Sequence, residues 1–162
     1  MRIGFYAPLK SPFSDSASGD RTLARLLIRA FEISGHEVLL MSEFRSLSIS
    51  GDAFQQQDIA LQGQKIVSDM LDDPNHMVHS IDIWLTYHLY HKAPDWLGPQ
   101  ASKALDIPYV VTEASYAPKQ IAGPWQLGIK QVEKCLSVAS GVISLNPRDV
   151  ECIQPLLKPK AK

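Results

Sequence analysis

The run Thr86-Tyr-His-Leu-Tyr-His-Lys92 sets two imidazoles three residues apart, among phenols and beside an amine. Imidazole exchanges a proton near neutral pH, so His88 and His91 are candidates for acid–base work on a hydroxyl, and Tyr87 could orient that hydroxyl. Two other readings compete. A metal pair needs a third ligand at suitable spacing, and His76 and His79 fall ahead of the preceding strand, at its wrong end. A histidine hydrogen-bonded beneath a loop needs no ligand at all.

Three further clusters carry usable chemistry. In Glu113-Ala-Ser-Tyr-Ala-Pro-Lys119, Glu113 can act as a base or substrate clamp, and Ser115 and Tyr116 can contact hydroxyls. Lys119 can steady a phosphate or simply sit in water. In Ser18-Gly19-Asp20, backbone N–H groups at a helix start suit an anion. Asp20 would oppose that anion unless it caps the helix or accepts a sugar hydroxyl, and a loop merely capped by Ser18 or Asp20 is the plainer alternative. Asn146 with Arg148 forms the last cluster, where capping alone accounts for Asn146. The chain has no Gly-x-Gly-x-x-Gly after its first strand, no Gly-Lys-Ser/Thr and no nucleophile elbow.

The elements around these clusters alternate between strand and helix. Arg2 to Ala7 reads as a buried strand, followed by a long polar loop over 8–19 and a helix over 20–31. That helix is expected to turn Leu23, Leu26, Leu27, Ala30 and Phe31 inward and to stop at Gly35. Strands follow at 36–41, 81–87, 107–112 and 141–145. Helices are expected over 54–71, weakened at Gly63, then over 96–105, over 124–140, and from the cap Asn146-Pro-Arg-Asp149 onward. Five strands in βα alternation give an α/β fold with a Rossmann-like open, mostly parallel sheet and helices on both faces. In such a sheet ligands bind beyond the carboxyl ends of the strands, where all four clusters fall.

At 162 residues and 45% hydrophobic composition the chain can bury a core of its own. A net charge of −1 offers no field for a polyanion, so nucleic acid is not an expected partner. Cys135 and Cys152 do not make a disulfide scaffold and read as buried or half-buried thiols in a reducing compartment. The start of the chain lacks a secretory apolar segment, and no run of apolar residues is long enough to span a bilayer. The expected location is cytoplasmic. Contact with the inner face of a membrane stays open, with the basic tail as its weak basis.

The segments Arg2-Ile-Gly-Phe-Tyr-Ala-Pro-Leu-Lys, Ser18-Gly-Asp-Arg, Ser34-Gly-His-Glu-Val and Tyr87-His-Leu-Tyr-His-Lys-Ala-Pro-Asp-Trp resemble the N-terminal half of a bacterial GT-B fold glycosyltransferase, family 4-like. Ile107-Pro-Tyr-Val-Val-Thr-Glu-Ala-Ser-Tyr-Ala-Pro-Lys and Gly141-Val-Ile-Ser-Leu-Asn extend the resemblance over nearly the whole chain. The resemblance implies an acceptor-binding domain over 1–155 and, over 156–162, a basic tail or the start of a linker to a C-terminal nucleotide-sugar domain. It further implies transfer of a sugar from an NDP-sugar to an acceptor hydroxyl, without tightly bound cofactor or essential metal, and with retention in family 4. The partners are then the sugar nucleotide, a hydroxyl-bearing acceptor, and the other domain in cis or on a partner subunit. His88 is the first choice, and His91 the second, for the family's histidine near the reacting sugar. Ser18-Gly19 replaces the adjacent glycines many relatives carry, which weakens backbone contact with a donor phosphate. The family's acidic pair at the donor site has no counterpart here.

The alternative is a non-catalytic α/β module that binds a small phosphorylated ligand or a partner protein. A receiver domain would need acidic residues where Tyr6-Ala7 and Thr86-Tyr87 stand. A flavodoxin would need its phosphate loop against the first helix, which a loop over 8–19 fits poorly.

Overall fold

Alternating hydrophobicity and βα spacing resolve into a five-stranded, wholly parallel sheet in the order β2-β1-β3-β4-β5. The computed structural model describes residues 1–159 and 161. The strands are β1 (Arg2–Tyr6), β2 (Glu37–Ser42), β3 (Ile83–Leu89), β4 (Tyr109–Ala114) and β5 (Gly141–Ile143). The helices are α1 (Gly19–Ile33), α2 (Ala53–Asp72), α3 (Gly98–Leu105), α4 (Gln126–Val138) and α5 (Pro147–Ile153). This is the expected Rossmann-like open sheet. Its strand order reverses direction at β1, the kind of switch point beyond whose carboxyl edge open α/β sheets bind ligands.

Each face of the sheet has its own core. On one, Ile3, Phe5, Leu85 and Tyr87 pack against Ala24, Leu23, Leu27, Ile28 and Phe31 of α1. On the other, Trp84, Tyr109 and Val111 meet Val67 and Met70 of α2, Ala101 of α3 and Val132 and Leu136 of α4. The inward seam of α1 therefore runs through 24, 27, 28 and 31. Leu26, expected to face inward, is 60% exposed, and Ala30 is exposed with it. The reason is rotational: both seams have helical spacing, and only the sheet decides which one is buried.

Local chemistry accounts for the helix ends. Ser18 caps α1, its hydroxyl accepting from the Arg21 N–H at 3.2 Å. Gly35 takes a left-handed φ of 81° just beyond the helix, as its position predicts. Asn146 caps α5 through the Arg148 N–H. At Gly63 a Cβ would stand 2.5 Å from the Trp96 Cβ, so the weak point in α2 is the position that admits the Trp96 side chain. Three boundaries differ from the expected ones in ways that matter. β3 runs on to Leu89 and β4 to Ala114, which makes His88 and Glu113 strand residues rather than loop residues. α3 begins at Gly98 instead of 96, because the carboxylate of Asp95 takes the N–H groups of Leu97 and Gly98 first. Cys135 is buried as expected, but Cys152 is exposed on α5. Leu156 and Leu157 pack against the core, while Lys160 and Lys162 of the expected tail lie outside the described residues. No helix among the described residues is long and apolar enough to cross a membrane.

Candidate functional site

The carboxyl edge of the sheet is built around two residues with unusual backbones. His88 has φ of 62° and Glu113 φ of 58°, the left-handed region that disfavours a side chain with a Cβ. The β3–β4 register pairs Tyr87 with Thr112 and Leu89 with Ala114, so His88 and Glu113 occupy the same intervening rung. Two strained residues at one rung of adjacent strands re-aim their side chains where a regular pleat would not send them.

α1 supplies the partner. Asp20 lies in its first turn, and its Oδ1 meets the Nδ1 of His88 at 2.7 Å. With Ser18 doing the capping, the Asp20 carboxylate is free to hold the imidazole. This bond crosses the point where the strand order reverses, joining the helix after β1 to the end of β3. No protein hydrogen bond forms at the His88 Nε2 among the described residues. An Nδ1 that donates to a carboxylate leaves Nε2 as an acceptor.

Tyr87, Tyr90 and Glu113 complete the cluster. Tyr87 is 2% exposed; burial, the charge of Glu113 and the charge of Asp20 push its phenol far above the usual range. The Glu113 carboxylate lies beside that phenol without forming a well-directed hydrogen bond to it, and its Oε2 is buried with no partner. The Tyr90 ring sits 5.1 Å from the His88 ring, centroid to centroid. Burial and then Asp20 raise its phenol, and Arg45 partly opposes them. Asp20 on the His88 imidazole and Glu113 beside the Tyr87 phenol thus bring two carboxylates into one cluster.

The loop over 8–18 forms a wall next to this cluster, held by arginines. Arg21 Nη1 donates to the carbonyls of Ser14 at 2.9 Å and Asp15 at 3.3 Å. Arg25 Nε donates to Pro12 at 2.6 Å and Arg45 Nε to Leu9 at 2.9 Å. The signal for these braces in the sequence is Arg21 and Arg25, one helical turn apart on the loop side of α1.

The other proposed residues divide clearly. His91 turns away from His88: its ring packs edge-on to Trp125 with centroids 5.6 Å apart, and Lys92 lies over the same Trp125 ring. Its backbone carbonyl sits where a Cβ on Gly128 would stand, 2.0 Å away, so this segment is wedged against α4. Burial, and secondarily Lys92, hold its imidazole below its ordinary value. Tyr116 donates to Glu133 Oε1 on α4 at 2.6 Å, which pushes its phenol up to about 12. Ser115 is bound through its backbone, its N–H donating to the Leu89 carbonyl at 2.9 Å. Lys119 is exposed in a short 3-10 turn over Pro118–Gln120. Gly19 opens α1 with no protein atom near the place of a Cβ. Ser18 and Asn146 act as caps. The geometry thus gathers Asp20, Tyr87, His88 and Glu113, and assigns Ser18, Tyr116, His91 and Asn146 structural contacts.

No family model matches the chain, and no curated protein matches it. Among the described residues no three His, Cys, Asp or Glu side chains are grouped to hold a metal.

Proposed function

We propose that this chain is the acceptor-side domain of a two-domain, GT-B-type glycosyltransferase, in which His88 receives the acceptor hydroxyl. The observation that carries the reading is the Asp20–His88 pair at the point where the strand order reverses. Asp20 holds Nδ1 and so presents Nε2 to the crevice chemistry as a base. The hydroxyl oxygen forms its bond to the anomeric carbon of an NDP-sugar as the bond to the nucleoside diphosphate breaks. His88 Nε2 accepts the hydroxyl's hydrogen bond and, where the product is inverted, its proton, while Glu113 orients the hydroxyl. The donor belongs to a second domain, in cis or on a partner subunit, whose closure brings the reactants together and excludes water.

Charge separates this reading from a module binding a small phosphorylated ligand in the same crevice. Asp20 and Glu113 both act on Tyr87, and such a pair favours a neutral polyol over a phosphate. The test uses the complete gene product with a panel of NDP-sugars and hydroxyl acceptors. Transfer should be measurable, and His88→Ala should lower kcat about 10²- to 10⁴-fold. Asp20→Asn should lower it less, with Asp20→Glu recovering part of the loss. Unchanged transfer in His88→Ala would sink the assignment. Product configuration reports on the proton: inversion requires a base on the acceptor face, whereas retention sends the proton to the leaving phosphate and leaves His88 an orienting group.

A further inference from the structure

At the opposite edge of the sheet, a cleft runs between α3 and α4 past the start of β4. Its lining includes Lys103, Lys134 and Lys158, with Ser102, Ser140 and Asp106. None of the three lysines has a carboxylate within ion-pair distance among the described residues. Lys158 makes one long contact, its Nζ donating to the Val138 carbonyl at 3.5 Å. Asp106 alone offsets them in the lining, and the carbonyl ends of α3 and α4 add roughly half a negative charge each. A positive excess therefore remains in a chain whose net charge is −1.

Ser102 supplies an independent observation. The residue is 4% exposed, and its Oγ is buried without any hydrogen-bond partner. A buried hydroxyl with no partner forgoes the bond that usually offsets its desolvation, unless something outside the described protein atoms completes it. Ammonium groups lining one cleft beside a spare hydroxyl suit one chemistry, the tetrahedral oxyanion. We infer that this cleft binds a phosphate group, free or carried on a lipid head group, at the edge of the sheet remote from His88.

The 162-residue chain is titrated with inorganic pyrophosphate at low salt while its backbone amide resonances are followed. Expected are shifts concentrated at 102–107, 134–140 and 158, with affinity falling as salt rises. Each single Lys→Gln change should weaken binding ~2- to 5-fold, and the triple change Lys103→Gln/Lys134→Gln/Lys158→Gln should abolish it with the fold intact, as these side chains are exposed. Ser102→Ala should weaken binding without altering charge, which general attraction of an anion would not do. His88→Gln should leave it unchanged. Vesicles of phosphatidylglycerol, against phosphatidylcholine, separate the two sources: flotation with the former that is lost in the triple variant assigns a head group, and pyrophosphate binding without flotation assigns a free phosphate. Shifts spread evenly over Lys10, Lys65, Lys119 and Lys130, or binding indifferent to the triple change, would overturn the proposal and leave the lysines as counter-charges to two helix ends.

Discussion

The stretch from Trp84 to Asp95 contributes to two polar clusters that face opposite sides of the same sheet, and they are satisfied to very different degrees. On the α2–α4 side Asp95 is fully buried, yet both of its carboxylate oxygens are paired. Thr86 Oγ1 donates to it at 2.5 Å, Tyr109 at 3.0 Å, and the N–H groups of Leu97 and Gly98 at 2.8 and 2.9 Å. Burial pushes the Asp95 carboxyl up, and these four donors pull it back. Its own carbonyl accepts from Gln131 Nε2 at 2.6 Å and from Cys135 Sγ. On the α1 side His88 and Glu113 hold left-handed backbones, and a Glu113 oxygen is buried without a bond. A closed network ties β3, α3, β4 and α4 together. An open and strained one costs stability.

That contrast can be broken at several points. Asp95→Ala strands two hydroxyls and two backbone N–H groups in the core, and should cost about 3–5 kcal/mol in chemical denaturation. A loss below about 1 kcal/mol would mean that water enters and replaces the carboxylate. Glu113→Gly tests the other side. It removes both the left-handed strain and the unpaired oxygen, so the fold should gain about 1 kcal/mol while sugar transfer by the complete protein falls. A loss of stability instead would make Glu113 a structural residue and erase the difference between the two clusters.

The smallest effect concerns His91, wedged against α4. Its folded-state value is depressed, so the native protein binds fewer protons here than the unfolded chain. The stability it contributes is present above the unfolded value of about 6.5 and is lost as pH falls toward the depressed folded value. Urea unfolding at about pH 7.5 and about pH 5.5 should show a loss on acidification that is smaller in His91→Gln. An identical pH response in the two proteins would show that the imidazole is not buried as described.

The parallel sheet and most helix ends were legible in the chain because they rest on local chemistry. Period-two and helical hydrophobic patterns marked the elements, Ser18 and Asn146 marked two helix starts, and Gly35 marked a stop. His88, Asp20 and Glu113 could be named as candidates from residue type and position at strand ends. Their separation in space from His91 could not. The histidines stand three apart in one polar run, and no pattern in that run tells that one meets Asp20 while the other packs on Trp125. Leu26 shows the same limit, since two seams of helical spacing share α1 and the sheet selects one.

The sequence by itself determined the βα alternation and which polar residues stand at the carboxyl ends of the strands, because those follow from neighbours along the chain. Tertiary structure alone decided which of them meet. Asp20 and His88 are brought together by the strand order, and His88 and Glu113 share a rung because β3 and β4 are in register. Asp95 is a buried keystone rather than a loop acid because donors from β3, β4 and the start of α3 converge on it. Such contacts span long stretches of chain, and their energies depend on burial and orientation that exist only after the sheet has formed.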